Sequence, residues 1–342
     1  MVGGAIGDAF GAVVEFSSID AIKEKYGKDG ITDLDCAESG YAEITDDSQM
    51  TLFTAEGILR AITRGNQRGI GHPPISIYYA YQRWLVTQGY PKHDQYKGIY
   101  NSWLLEIKEL HARRAPGNTC LSALLSREMG TIEQPINNSK GCGAVMRVAP
   151  LALALTVLNH TKENIFNVGA ESGAITHGHP SGYLPAGALA HMIASILEGS
   201  DIFKALELAA VVLQGYEGHE ECSAALANAL ELADSGMADS AAIKKLGEGW
   251  VGEEALAIAV YCSLKYSNDF RKAVVASVNH SGDSDSTGAI TGNILGAYLG
   301  INSIPKEWAQ KLELRDVIVQ IADDLLTGYQ EVAEWYERYP GD

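Results

Sequence analysis

An all-α fold, organised as a single compact multi-helix domain over residues 1–342, is what this sequence predicts, and three observations predict it. Apolar residues recur at helical spacing in several long segments, strand-like alternation is scarce, and no Ser/Pro-rich linker or low-complexity stretch divides the chain. Taken in order, the chain enters a Gly-rich helical pattern at once, in Met1-Val2-Gly3-Gly4-Ala5-Ile6-Gly7-Asp8. So abrupt a start is what loss of an upstream helix would leave. Helical periodicity follows at Leu52, Ala55, Leu59 and Ile62, at Leu189, Ile193 and Ile196, at Leu256, Val260 and Leu264, and at Ile290, Ile294 and Ala297. Small residues, among them 36 glycines, let such helices approach closely. Irregular segments are expected near residues 17–47, 65–75, 112–119, 131–144, 176–185 and 245–253, where site chemistry concentrates.

A chain of 342 residues with 46% hydrophobic content buries a large core. Its formal net charge of −17 opposes non-specific attraction to nucleic acid or to an anionic membrane surface, which excludes both as partners. A phosphate-bearing ligand would need a local offset to that field, from divalent cations or clustered backbone N–H groups. The five cysteines (Cys36, Cys120, Cys142, Cys222 and Cys262) are scattered and form no CxxC pair, so neither a disulfide framework nor a thiolate zinc site is indicated. A cytoplasmic location fits. The longest nearly apolar run, Val148 to Leu158, contains Pro150 and is too short to cross a bilayer.

Two oxygen-rich clusters stand at the starts of periodic helices. In Ile44-Thr45-Asp46-Asp47-Ser48, Thr45 reads as a helix N-cap with two carboxylates favouring the positive end of the dipole. The same hard oxygens suit Mg²⁺ or Mn²⁺. In Gly282-Asp283-Ser284-Asp285-Ser286-Thr287-Gly288, carboxylates two apart with hydroxyls between them can turn toward one point, and here too a capping loop is the alternative. Gly141-Cys142-Gly143-Ala144 precedes Met146-Arg147, and small residues there let N–H groups approach a pyrophosphate, although a lone Gly-x-Gly is usually only a turn. His177 and His179 sit two apart without a third zinc ligand at a suitable spacing.

Together these segments, with Gly4-Ala5-Ile6-Gly7-Asp8-Ala9-Phe10-Gly11-Ala12-Val13-Val14-Glu15-Phe16 and Thr176-His177-Gly178-His179-Pro180, resemble the ADP-ribosylglycohydrolases over almost the whole chain. The resemblance implies an all-α fold with a two-metal centre, and hydrolysis of ADP-ribose from modified protein. Position by position it makes Thr45, Asp46, Asp47, Asp283, Asp285 and Ser286 ligands of two divalent cations, Mg²⁺ or Mn²⁺. Ser286 replaces a threonine common in the family and keeps the hydroxyl. Glu15 becomes the carboxylate beside the scissile bond, able to activate water or relay a proton. Asn118, Gly141, Cys142, Gly143, Ala144 and His177 become ligand-binding residues, with Cys142 standing where relatives commonly carry Asn. Asp8 is similar to a residue that supports the metal site, and a plain structural hydrogen-bonding role is the alternative.

ADP-ribosylated protein or ADP-ribose is thus the expected partner, with arginine as the favoured linkage. Other readings stay open at this level: a binding protein that captures ADP-ribose or blocks an ADP-ribosyltransferase, and a phosphohydrolase. One departure bears on the choice. The nitrogenase-regulating member of the family has an aspartate where this chain has Ala115, and alanine cannot move a proton.

Overall fold

The computed structural model describes residues 1–341. Two-thirds of it, 66%, is helical, and the only β-type pairings among the described residues are isolated bridges. In chain order the α-helices are α1 (Val2–Gly11), α2 (Ile19–Tyr26), α3 (Asp46–Arg68), α4 (Pro73–Thr87), α5 (Asn118–Leu125), α6 (Ala149–Val157), α7 (Lys162–Ala174), α8 (Pro180–Leu197) and α9 (Ile202–Leu213). They continue with α10 (Glu220–Asp234), α11 (Asp239–Leu246), α12 (Gly252–Lys265), α13 (Phe270–Val278), α14 (Ser284–Leu299), α15 (Lys306–Lys311), α16 (Arg315–Thr327) and α17 (Ala333–Arg338). No helix among the described residues is long and apolar enough to cross a membrane. The four stretches of apolar periodicity fall in α3, α8, α12 and α14, as expected.

Several segments expected to be irregular are partly helical. Residues 17–47 contain α2, whose apolar stripe is short, Ile19, Ile22 and Tyr26, with only Ile22 buried. What starts it is a cap, with Ser18 Oγ accepting the Ala21 N–H at 3.2 Å. The break at 65–75 shrinks to a few residues, because α3 runs to Arg68 and closes on Gly69, whose φ of 73° is left-handed, before Pro73 opens α4. Residues 180–185 are the first turns of α8, which carries Pro185 inside it and is buried almost throughout.

The packing that matters most for the site is the crossing of α1 and α14. Their backbones run antiparallel and nearly touch. A Cβ on Gly7 would lie 1.9 Å from the Gly288 carbonyl oxygen, one on Gly292 2.0 Å from that of Gly3, and one on Gly11 2.2 Å from that of Ser284. Any side chain at these positions would force the helices apart. The pairing of residues 3 with 292, 7 with 288 and 11 with 284 places the turn after α1, which holds Glu15, beside the start of α14, which holds Asp283 and Asp285.

Candidate active site

Both caps expected from the sequence form, and both belong to the site. Thr45 Oγ1 accepts the Asp47 N–H at 3.3 Å and starts α3, while Asp283 Oδ1 accepts the Ser286 N–H at 3.3 Å and starts α14. The two helix starts face each other, with Thr45 Oγ1 3.2 Å from Asp285 Oδ2. Capping and site chemistry are therefore not alternatives here. The positive ends of two helices point at one group of carboxylates.

Asp8, fully buried, holds the first cluster in place. Its carboxylate accepts from the Thr45 hydroxyl at 2.7 Å, the Thr45 N–H at 3.0 Å and the Ser48 N–H at 3.1 Å. Asp46 Oδ2 accepts the Gly117 N–H at 3.1 Å, which ties the 112–119 loop to α3. Asp285 Oδ1 accepts the Ser286 N–H at 2.9 Å. Asp47 Oδ2 is buried with no hydrogen-bond partner, an arrangement that leaves a charge exposed to low dielectric unless a cation meets it.

Glu15, Asp283 and Asp285, all buried, each offer an oxygen within 4.8 Å of the others'. Burial, reinforced by the charges of Asp283, Asp46 and Asp8, pushes Glu15 up to about 8. Burial and neighbouring carboxylates likewise push Asp46 up to about 8 and hold Asp47 and Asp285 well above the usual carboxylate range, while burial raises Asp283 against the opposing hydrogen bonds of Asp285, Cys142 and Ser286. So many acids cannot all ionise together in one buried pocket. Divalent cations are the groups that such a donor set fits, and the unsatisfied Asp47 oxygen says the same.

These residues line a cleft of about 310 Å³. Glu15, Asp46, Asp47, Asp283, Asp285 and Ser286 form its floor, and Asn118, Gly141, Cys142, Gly143 and His177 also border it. Thr45 opens instead onto an adjoining hollow of about 440 Å³ that shares Glu15, Phe16 and Ala115 with the cleft. Ala144 is buried away from the lining, with its methyl group facing α7 near Gly173.

The glycine turn is narrow because of what lies under it. A Cβ on Gly143 would come 2.8 Å from Cys120 Sγ and 3.1 Å from His177 Cε1, and one on Gly141 would come 3.1 Å from His177 Nε2. His177 supports the turn from below. Its Nδ1 pairs with Thr176 Oγ1 at 2.8 Å, and burial, with Arg147 nearby, lowers it to about 3, so the ring stays neutral. Two of the turn's N–H groups are already engaged, Gly141 with Ser139 Oγ at 3.2 Å and Cys142 with the Trp250 carbonyl at 3.2 Å. Cys142 Sγ donates to Asp283 Oδ2 at 2.7 Å. His179 caps α8, its Nδ1 accepting the Ser181 N–H at 3.1 Å.

An aromatic pair edges the site and a buried group underlies it; of these, the loop carrying Trp250 reads from the sequence as a pocket edge, with a core position for Trp250 as the alternative. Phe16, 75% exposed, stacks on Trp250, 40% exposed, with ring centroids 5.9 Å apart and planes 21° from parallel. Trp250 is thus an edge of the cleft and not part of the core. Phe16 directly follows Glu15, and an apolar residue in an irregular segment was the available signal. Beneath the cleft, Arg147 donates to Thr176 Oγ1 at 2.7 Å and to Cys120 Sγ at 3.2 Å and lies 4.3 Å over the Tyr81 ring. Nothing in the spacing of those residues announces that group.

The fold and cleft define a helical protein with a buried acidic centre between two helix starts, its carboxylates grouped closely enough to fit a metal ion. The family model for ADP-ribosylglycohydrolases matches residues 1–334, and the chain belongs to that family of hydrolases. It is 28% identical over 334 residues to a protein of Archaeoglobus fulgidus without assigned function, covering 95% of this chain and 94% of that one. It is 25% identical to the ADP-ribosyl-[dinitrogen reductase] glycohydrolase of Rhodospirillum rubrum, covering 92% and 89%. A match to human ADP-ribosylhydrolase ARH3, at 28% identity, spans 51% of this chain and 54% of that protein. Among solved structures, one titled ADP-ribosylglycohydrolase-related protein complex aligns at a TM-score of 0.64 and 24% identity over 95% of this chain and 94% of the other, which supports the fold.

Proposed function

We propose that this protein is a divalent-cation-dependent hydrolase that removes ADP-ribose from modified protein, with arginine as the favoured linkage and Mg²⁺ or Mn²⁺ as the cation. The observation that carries the reading is the convergence of Glu15 with both aspartate clusters in one cleft bordered by the glycine turn. Asp46, Asp47, Asp283, Asp285, with the hydroxyls of Thr45 and Ser286, would hold the cations. Cations bound there would orient the ribose hydroxyls and make a nearby water easier to deprotonate for attack on the anomeric carbon. Glu15, at the rim of that group, is the carboxylate placed to take a proton from water or pass one to the leaving group. Asp8 and His177 position other groups, the first through Thr45 and Ser48, the second beneath Gly141 and Gly143. Gly141, Cys142, Gly143 and Asn118 are assigned to the ADP-ribose, and Ala144, buried behind the turn, is not. The support for a protein-linked substrate is family membership together with the names of the relatives above.

A second reading, ADP-ribose binding with little turnover, is favoured by one observation. Ala115 lines the cleft at φ 47°, a left-handed conformation that costs an alanine about 1 kcal/mol, and it offers no proton-transfer group. Arginine- and serine-ADP-ribosylated proteins incubated with the protein and Mg²⁺ or Mn²⁺ should release free ADP-ribose, faster from arginine. Tight ADP-ribose binding without release from either substrate, combined with strong release by Ala115→Asp, would establish the binding reading instead.

A further inference from the structure

Oxygen donors alone would give the site hard chemistry of the kind that suits Mg²⁺. Two sulfur atoms change that. Cys142 Sγ lies 2.7 Å from Asp283 Oδ2 and 3.7 Å from Ser286 Oγ, and Met146 Sδ lies 3.9 Å from the same hydroxyl. Both sulfurs come from the short 3₁₀ turn Cys142–Arg147, whose first residue is pinned by its N–H to the Trp250 carbonyl. That bond fixes the backbone from which the thiol reaches Asp283. Across the same cleft stands the buried Asp47 carboxylate with its unpartnered Oδ2.

Resting on the cation-binding reading above, the geometry points to Cys142 as a sulfur donor to the cation held by Asp283 and Ser286, giving that position a preference for borderline cations such as Co²⁺ or Zn²⁺ over the harder Mg²⁺ and Mn²⁺. Thiolate is a soft ligand, and it raises affinity for later first-row metals far more than for Mg²⁺. On binding, the S–H proton leaves to solvent, a sulfur–metal bond forms, and the Asp283 oxygen that had accepted the thiol proton turns to the cation. Met146 adds a polarizable wall and no charge.

The test uses the full chain. Cobalt titration should produce a near-ultraviolet sulfur-to-cobalt charge-transfer band that is absent in Cys142→Ser and in Cys142→Asn and retained in Cys120→Ser. Calorimetry should show Co²⁺ and Zn²⁺ affinity falling about 10- to 100-fold in the two Cys142 variants while Mg²⁺ and Mn²⁺ affinities stay within a few-fold, with far-ultraviolet circular dichroism confirming that each variant is folded. Cobalt binding to the parent without the band overturns the sulfur-donor assignment and leaves the hydrolase reading standing. Failure of the parent to bind any divalent cation overturns both.

Discussion

Glu15 and the aspartates it faces act at the scale of single atoms, and their replacements separate turnover from binding. Glu15→Gln keeps the shape of the side chain and removes its proton chemistry, so ADP-ribose affinity should persist while hydrolysis falls by at least about 10²-fold. Near-parent turnover would remove Glu15 from the catalytic assignment. Asp46→Ala and Asp285→Ala take one oxygen donor from opposite sides of the cleft, and each should weaken Mn²⁺ binding in calorimetry. If either binds as tightly as the parent, the two clusters do not share a cation site. At this scale the sequence was informative about which residues bear chemistry and silent about how they are held. Thr45 and Asp283 could be read as caps or as ligands, and only folding shows that the capping geometry itself aims them at a common point. The family resemblance implies a ligand-pocket role for His177, and its ring borders the cleft from beneath Gly141 and Gly143 with Nδ1 engaged by Thr176.

At the scale of helices, the close crossing of α1 and α14 fixes the distance from Glu15 to Asp283 and Asp285. A methyl group on Gly288 would lie 2.4 Å from the Gly7 carbonyl oxygen, so Gly288→Ala should cost about 1–3 kcal/mol in denaturant unfolding through overpacking, and should also lower kcat by shifting Glu15. An unchanged midpoint and unchanged kcat would show that the crossing tolerates expansion. Helices α3, α8, α12 and α14 were legible from their apolar spacing, although the last three are buried over most of their surface and not along one stripe. Helix α2 was not legible, because it buries one residue and depends on the Ser18 cap, and the start of α8 was hidden by Pro180 and Pro185, which read as loop residues although the first sits where a helix tolerates proline. The partnership of α1 with α14 was also out of reach, since glycine spacing in two distant segments does not say that they meet.

The whole molecule registers the site through its stability. Glu15 and Asp46, each raised to about 8, have folded pKa values above their unfolded ones, so their contribution is present at low pH and is lost as pH rises through about 8. His177, lowered to about 3, and His191 and His280, lowered to about 4 by burial, act in the other direction, losing stability only as pH falls below the unfolded histidine value of about 6.5. Between those limits the buried Met1 amine, lowered to about 6, pulls the other way, but it is one group against the raised carboxylates of Glu15, Asp46, Asp47 and Asp285. In chelator the melting temperature should therefore rise as pH is lowered from about 8 to about 6.5, and saturating Mn²⁺ should abolish that rise while stabilising the fold by ~2.7 kcal/mol at a hundred times Kd. A flat profile in chelator, or a melting temperature indifferent to Mn²⁺, would show that the carboxylates are not poised for a cation. The pairing of Gly3 with Gly292 carries one more consequence, which concerns the chain while it is being made. Contacts of such long sequence separation form late, and the helix that brings Asp283 and Asp285 emerges from the ribosome long after the one that leads to Glu15. A partly synthesised chain has only half of its acid cluster, so it can neither gather cations nor attack a substrate until α14 has been translated and has closed against α1.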